Sequence, residues 1–273
     1  MIILLTFILG AIIGSFLNVV ICRYNTGKTL GGRSGCFTCG KKLSWYELFP
    51  IASFVCLKGK CMGCKSKISL QYPIVEAISG IIFVLLFLKF KDLLFFDPAL
   101  FIGNFIYAGF FFSLLLIISV YDIRHKIIPD NMVYILALWA LIWSFIFDPL
   151  FGFYLHVPSL GYLLAGPMLA FPFVFLWLIS RGRWMGFGDA KLALGLGWFL
   201  GVSAGFSALL FSFWIGAIVG IALIILSKFR TISHSFKYNL KSEISFGPFL
   251  ALGTACSFFG GLGIISLAQI FTI

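Results

Sequence analysis

Residues 181–192 read Arg-Gly-Arg-Trp-Met-Gly-Phe-Gly-Asp-Ala-Lys-Leu, between a long apolar run that ends just before them and another that begins just after. The segment carries one carboxylate, Asp189, behind the glycines Gly186 and Gly188. A carboxylate at the edge of an apolar span is costly to bury, which makes it a candidate functional group. The glycines remove side-chain bulk, so backbone and substrate can approach the carboxylate closely. We expect the chain to hold Asp189 at a membrane surface, with a second acid, Asp122, beside it.

The composition predicts a polytopic membrane protein. Of 273 residues, 61% are hydrophobic and 11% are charged, and the mean hydropathy is +1.10. A soluble domain has about 25% charged residues. The formal net charge of +11 would suggest a nucleic-acid partner in a soluble protein. In a membrane protein it reflects basic residues kept on the cytoplasmic side, so we expect no nucleic acid as a partner.

The apolar stretches predict an all-α fold with about eight transmembrane helices. They cover residues 2–21, 74–90, 99–120, 132–147, 160–179, 190–200, 204–226 and 249–271. Eight spans with an outside N-terminus place 18 of the 20 Lys and Arg residues on one side, as the positive-inside rule requires. We therefore predict a first transmembrane helix (1–22), a small cytoplasmic zinc-binding domain between helices 1 and 2 (23–72), and a seven-helix membrane domain (73–273).

Four cysteines in the polar segment 23–72 form two Cys-x-x-Cys pairs, Cys36/Cys39 and Cys61/Cys64. Each pair can direct two thiolates at one ion, and four thiolates complete a tetrahedral zinc site. Gly40 and Gly63 suit the turns of such a site. The alternatives are reduced, unligated thiols or a redox pair.

Asp122 follows an apolar run directly, and the predicted topology places it at the same membrane face as Asp189. Two adjacent carboxylates do not both ionise easily, so one stays charged while the other keeps its proton. Such a pair can activate water and polarise a peptide carbonyl, which is aspartic-protease chemistry. Spacing alone is equally compatible with a proton or cation path through a membrane.

Three further polar residues lie near the ends of spans. We expect Asp130, just after Pro129, to cap the next helix. Glu76 is expected to favour the N-terminus of its own helix. Asn18 is explained either by a hydrogen bond between packed helices or by a role in a site.

Five segments in order resemble the type IV prepilin peptidase family. They are Gly-Ser-Phe-Leu-Asn-Val-Val at 14–20, the two cysteine pairs flanking Trp-Tyr-Glu at 45–47, Tyr-Pro-Ile-Val-Glu at 72–76, Asp122 with Ile-Pro-Asp at 128–130, and Gly-Phe-Gly-Asp-Ala-Lys-Leu at 186–192. The resemblance covers residues 10 to 250. A single Gly-x-Gly-Asp is a weak signal, whereas five ordered motifs are specific.

The resemblance implies an enzyme with two activities in the bacterial cytoplasmic (inner) membrane. Such enzymes cut the basic leader of type IV prepilins and type II secretion pseudopilins after a glycine, at the cytoplasmic face. They then N-methylate the new N-terminal residue, usually Phe, with S-adenosylmethionine. Asp122 and Asp189 match the family's catalytic aspartates. The partners implied are prepilin substrates and the lipid bilayer.

The same resemblance assigns the four cysteines to the motif of the methylating members, and Gly59 to a glycine tied to methyl transfer. One departure is Glu-Leu-Phe-Pro at 47–50, where many relatives have Glu-Asn-Ile-Pro. No Rossmann-type glycine-rich loop for S-adenosylmethionine is visible. Two alternatives stay open: an ion-coupled transporter with the two acids as a relay, and a related membrane aspartic peptidase with another substrate.

Overall fold

A computed structural model describes residues 1–27, 29–148, 152–229 and 245–261, and most of these residues are helical. The helices are α1 (Ile2–Arg23), α2 (Ala52–Cys56), α3 (Gln71–Phe90), α4 (Leu93–Phe96), α5 (Pro98–His125), α6 (Asp130–Ile146), α7 (Leu160–Ser180), α8 (Phe187–Phe229) and α9 (Gly247–Gly260). A 3₁₀ helix spans Trp45–Leu48. The chain divides within α5 into two compact units, Met1–Ile117 and Ile118–Ile273.

The first unit is built on the pairing of α1 with α3. Their backbones approach closely because Gly10 and Gly14 face α3, where a Cβ atom on either glycine would come within 2.8 Å of an α3 atom. The Ser79 hydroxyl donates a 2.7 Å hydrogen bond to the Gly10 carbonyl. Small residues that permit such contacts are the usual means of joining helices in a membrane, where lipid removes the hydrophobic driving force.

The second unit is organised around α8, which packs against α6, α7 and α9. Gly166 of α7 and Gly197 of α8 lie where the two helices pack closely. A Cβ on Gly166 would be 2.9 Å from the Leu194 carbonyl oxygen of α8. Helix α7 tolerates Pro167 and Pro172 in its interior. Membrane helices accept proline because neighbouring groups satisfy the freed carbonyls.

Five helices are long and apolar enough to cross a bilayer within the described ranges, fewer than the eight spans predicted. The predicted spans 190–200 and 204–226 lie in α8 as two helical segments that meet at a kink, where Gly201 has non-helical backbone (φ 76°, ψ 179°). Helix α6 has 17 residues and α9 has 14, so both are shorter than each of these five helices. The predicted span 249–271 extends beyond the described residues after position 261. The chain is a multi-pass membrane protein.

A short pair of β-strands follows α6 in the second unit. Strand β1 (Phe147–Asp148) pairs antiparallel with β2 (Gly152–Phe153), and Phe147 stands opposite Phe153. The Trp143 ring stacks on Phe147 at 5.6 Å and meets Phe153 edge-on at 5.7 Å. This aromatic cluster closes the end of α6, and the prediction of a mostly helical membrane protein is confirmed.

Candidate active site and cysteine cluster

Asp122 lies on the last turn of α5, is 4% exposed, and is held from two directions. Its Oδ2 accepts a 3.0 Å hydrogen bond from the backbone N–H of Gly247, the first residue of α9. Its main-chain carbonyl accepts a 2.9 Å hydrogen bond from the Ser245 hydroxyl. Neither contact was predicted from the sequence, because the donors are a backbone N–H and a serine hydroxyl, and neither is charged.

Asp189 lies in the first turn of α8 and is 7% exposed. Its backbone N–H donates to the Gly186 carbonyl at 3.3 Å. Its Oδ1 is buried and has no hydrogen-bond partner among the residues that the structure describes. The carboxylates of Asp189 and Asp122 lie near enough to interact electrostatically. The fold thus brings together the two acids singled out in the sequence.

The glycines before Asp189 differ in their surroundings. A Cβ on Gly188 would lie 2.9 Å from the Ile128 Cβ, so this glycine lets α8 begin against the connection between α5 and α6. A Cβ on Gly186 would meet nothing nearer than 3.9 Å, where Asp189 Oδ2 lies. Only Gly186 has open space beside the carboxylate, and a peptide backbone could approach there.

Asp130 does not cap its helix as predicted. Pro129 occupies the N-cap position, and Asp130 is the first residue of α6. Its carboxylate instead pairs with Lys191 on α8 at 2.8 Å. The Lys191 ammonium also lies 5.4 Å from the Tyr134 ring centre. This pair joins the starts of α6 and α8 two residues after Asp189, a link the sequence spacing did not reveal.

The four paired cysteines form a cluster in the first unit, with all four Sγ atoms within 4.8 Å of one another. The distance from Cys36 Sγ to Cys64 Sγ is 3.8 Å. Four thiolates at the usual Zn–S distance of about 2.3 Å stand about 3.8 Å apart on the edges of a tetrahedron. The donor set and its spacing therefore fit zinc.

Two turns of the same construction supply the thiols. In the first, the Cys36 N–H donates to the Lys41 carbonyl and the Gly40 N–H to the Cys36 carbonyl. In the second, the Cys61 N–H donates to Ser66 and the Lys65 N–H to Cys61. The left-handed residue is Gly40 (φ 69°) in one turn and Lys65 (φ 58°) in the other. Gly63 lies in the second turn without supplying its left-handed residue, and a Cβ at this position would lie 3.7 Å from Cys39 Sγ.

The turns favour thiolates at two of the four cysteines, Cys36 and Cys64, whereas at Cys39 the Lys41 N–H is outweighed by the neighbouring thiols, which raise the pKa to about 11. Hydrogen bonds from the backbone N–H groups of Cys39 and Thr38, with a further one from Ser66, lower the pKa of Cys36 to about 5. The Ser66 side chain and backbone lower the pKa of Cys64. Because zinc binds thiolates rather than thiols, these donors prepare the cluster for a metal.

Glu47, from the segment that departs from the family pattern, is an internal support of this domain. Its Oε2 accepts a 2.8 Å hydrogen bond from the Ser44 N–H, and its Oε1 pairs with the Lys41 ammonium at 3.0 Å. The Ser44 N–H, and then Lys41, hold the pKa of Glu47 below its usual value. Gly59 has a left-handed backbone conformation (φ 66°), and the Phe54 ring packs where a Cβ would stand. Both features explain a glycine at this position without a ligand.

The polar residues at the base of this domain join its parts. Asn18 donates a 3.2 Å hydrogen bond to the Tyr72 carbonyl, which agrees with the helix-packing explanation. Glu76 was expected to favour the N-terminus of its helix. It is the sixth residue of α3, too far along for that role, and it accepts a 2.8 Å hydrogen bond from the Ile51 N–H instead.

Comparison with known proteins finds matches to one family of peptidases over both parts of the chain. Residues 8–90 match the model described as Bacterial Peptidase A24 N-terminal domain, and residues 109–221 match the Type IV leader peptidase family. A Bacillus subtilis protein named prepilin leader peptidase/N-methyltransferase is 31% identical, over 95% of each chain. A Myxococcus xanthus protein of that name is 34% identical over 80% of this chain and 62% of its own. A Burkholderia pseudomallei protein of that name is 28% identical over 93% of this chain and 84% of its own. No solved structure matches the chain.

Proposed function

The chain belongs to the type IV leader peptidase family, and from this we propose that it cleaves the leader of type IV prepilins and pseudopilins and then N-methylates the new N-terminus. The observation that supports the peptidase is the pair of buried carboxylates, Asp122 and Asp189, at the ends of two apolar helices. A prepilin is itself an apolar helix with a basic leader, so its scissile bond reaches the depth at which these acids lie.

The pair performs hydrolysis without a nucleophilic side chain. One carboxylate takes a proton from water as its oxygen attacks the scissile carbonyl, and the other acid gives its proton to the carbonyl oxygen. The tetrahedral intermediate then collapses as the C–N bond breaks. The first acid protonates the departing amine, and a hydroxyl of the intermediate returns a proton to the second. The open space at Gly186 admits the substrate backbone.

The second activity belongs, in this proposal, to the segment 23–72. Zinc held by Cys36, Cys39, Cys61 and Cys64 stabilises the two turns as a structural ion and takes no part in the reaction. S-adenosylmethionine supplies the methyl group to the N-terminal amine released by cleavage. Gly59 is a candidate contact for methyl transfer on family resemblance, in addition to its turn conformation.

We place the segment 23–72 on the cytoplasmic side of the bacterial inner membrane, between the first helix (1–22) and the membrane domain (73–273). The bias of Lys and Arg toward one set of connections supports this orientation. The cleavage site then faces the cytoplasm, with prepilins and the surrounding lipid as partners. An ion relay through the two acids would leave the cysteine cluster without a role.

Mass spectrometry of a model prepilin, incubated with the purified full-length protein and S-adenosylmethionine in detergent, tests the proposal. We expect loss of the leader together with the gain of one methyl mass. Cleavage without methylation would refute the second activity alone. Absence of cleavage by folded, zinc-bound protein would refute the substrate, and pH-driven flux in vesicles, stopped by Asp122→Asn, would then establish the relay.

A further inference from the structure

The two carboxylates of the proposed active site differ in their hydrogen bonds. Oδ2 of Asp122 accepts the Gly247 N–H at 3.0 Å in a buried position. Oδ1 of Asp189 is equally removed from solvent, yet no donor reaches it from the described parts of the chain. A hydrogen bond to a carboxylate stabilises its charged form, whereas a buried anionic oxygen without a donor is costly.

The backbone around Gly247 is built closely onto Asp122. Gly247 is the first residue of α9 and Pro248 the second, so the next N–H in the chain is missing and the Gly247 N–H is the one presented to the carboxylate. A Cβ at position 247 would lie 2.7 Å from Asp122 Oδ2. Ser245 holds the main chain of the same aspartate at 2.9 Å. Side chain and backbone of Asp122 are thus fixed by one short segment.

Helix dipoles do not favour Asp122 over Asp189 as the charged acid, since Asp122 also lies on the last turn of α5, at the negative end of that helix dipole. Asp122 receives the N-terminus of α9, and Asp189 lies in the first turn of α8, so each carboxylate has a helix N-terminus beside it. The difference between them lies in the hydrogen bond from Gly247.

We propose that Gly247 is a positioning residue that makes Asp122 the base of the pair and leaves Asp189 as the acid. This inference rests on the proposed peptidase function. Asp122 takes the proton of the attacking water while its second oxygen stays bound to the Gly247 N–H. Asp189 gives its own proton to the scissile carbonyl oxygen from Oδ2, the oxygen beside the open space at Gly186, and recovers a proton as the intermediate collapses.

Steady-state cleavage of a model prepilin by full-length variants tests the positioning role. Gly247→Ala keeps the N–H but displaces the carboxylate, so we expect kcat to fall at least about 10-fold with KM within about twofold. Ser245→Ala leaves the backbone of α9 intact and is expected to lower kcat about threefold to fivefold, again without a KM change. Gly220→Ala is the control, because nothing lies within 4 Å of a Cβ at that helical position.

Each kinetic outcome is decisive. If Gly247→Ala does not fold, as judged by circular dichroism and gel filtration, Ser245→Ala decides. Unchanged kcat in a folded Gly247→Ala or Ser245→Ala protein, with Asp122→Asn inactive, overturns the positioning role and leaves the peptidase intact. Cleavage at the wild-type rate by Asp122→Asn overturns the two-aspartate mechanism and this assignment with it, whereas absence of cleavage by the wild-type protein overturns the proposed function itself.

Infrared difference spectra test which acid carries the proton. At neutral pH we expect the variant-minus-wild-type spectrum of Asp189→Asn to show loss of a carboxylic-acid C=O band. The Asp122→Asn spectrum should show loss of a carboxylate band instead. Subtraction of the wild-type spectrum removes the contribution of Glu76, the other carboxyl buried in a membrane helix of the described chain. A carboxylic-acid band that persists in Asp189→Asn overturns the assignment.

Discussion

The cysteine cluster and the aspartate pair represent two ways of building a site. The cluster joins two turns of the same kind, and two of its sulfurs, 3.8 Å apart, belong to residues that are 28 positions apart in sequence. The aspartate site draws on α5, α8 and α9, and the contact between Gly247 and Asp122 spans 125 residues. The first site is therefore a product of local chain geometry, whereas the second exists only when the helices of its unit have packed. Sites of the second kind are sensitive to changes that never touch the reacting groups.

The largest expected effect is at the aspartates. Asp122→Asn and Asp189→Asn each remove one proton-transfer group, and we expect each to lower the prepilin cleavage rate at least about 10³-fold. Quantitative mass spectrometry of the released leader measures the rate. Asp97→Asn serves as the control and should cleave normally, because Asn keeps the side-chain oxygen that accepts the Ala99 and Leu100 N–H groups at the start of α5. Residual cleavage within tenfold of wild type in either variant would exclude the two-aspartate mechanism.

These two acids were predictable because each is an isolated carboxylate at the edge of an apolar run, which is rare and costly. The residues that hold Asp122 were not. A backbone N–H has no sequence signature, and Gly247 with Pro248 reads simply as an ordinary start of a helix. The pairing of Asp130 with Lys191 was missed for a related reason. An acid after proline at a helix start is usually a cap, and only the packing of α6 against α8 provides a better partner.

The fold, like the site, was predictable in its elements but not in how they join. Hydropathy located the apolar stretches and separated 190–200 from 204–226, but it did not show that only a kink at one glycine lies between these two helical segments, because a glycine between two apolar runs resembles a loop as much as a kink. Gly201 interrupts α8 without ending it. The cysteine cluster, in contrast, was visible in full, since the spacing within each pair already fixes the turn that directs both sulfurs to one point.

Removal of the metal is the next largest effect, and it tests whether the two sites are independent. Cys36→Ser or Cys64→Ser removes one of four thiolates, and we expect zinc to fall from about one ion per chain to near zero. Plasma emission spectrometry of protein purified without chelator measures the zinc. Leader cleavage should persist in these variants while methylation is lost.

Two results would contradict this expectation. Zinc at about one ion per chain in either cysteine variant would exclude the cluster as its site. Loss of cleavage in proportion to loss of zinc would show that the locally built site supports the assembled one. Cys256→Ser, in α9 and outside the cluster, is the matched control for the loss of a thiol.

A smaller effect concerns the pH dependence of the cysteine domain. The folded-state pKa of Glu47 is lowered by the Ser44 N–H and by Lys41, so its contribution to stability is complete above the usual Glu value of about 4.3 and is lost as pH falls through the folded value. Glu47→Gln should lower amide protection in residues 41–48 about fivefold at pH 7, since one charge-assisted hydrogen bond contributes about 1 kcal/mol or more. Hydrogen exchange followed by mass spectrometry measures this protection.

The pH dependence of this difference in amide protection tests whether it comes from the charge of Glu47. The difference between Glu47→Gln and wild type should shrink as pH falls below about 4.3, where the wild-type carboxyl also becomes neutral. Lys41→Gln removes only the ion pair, whose lysine is 35% exposed, and should cost less. A difference that stays constant from neutral to acid pH would mean that the charge of Glu47 does not stabilise the domain.

The smallest expected effect concerns the difference in backbone strain between the two turns of the cluster. Both place one residue in the left-handed region, but Gly40 adopts it without cost, whereas a residue with a Cβ such as Lys65 is strained by about 1–2 kcal/mol. Lys65→Gly should therefore slow zinc release to a chromogenic chelator up to about fivefold, and Gly40→Ala should accelerate it by a similar factor. Lys42→Gly, at an extended position paired with Gly35, should accelerate release instead of slowing it. Faster release from Lys65→Gly would show that the lysine side chain, and not the backbone conformation, is what the second turn requires.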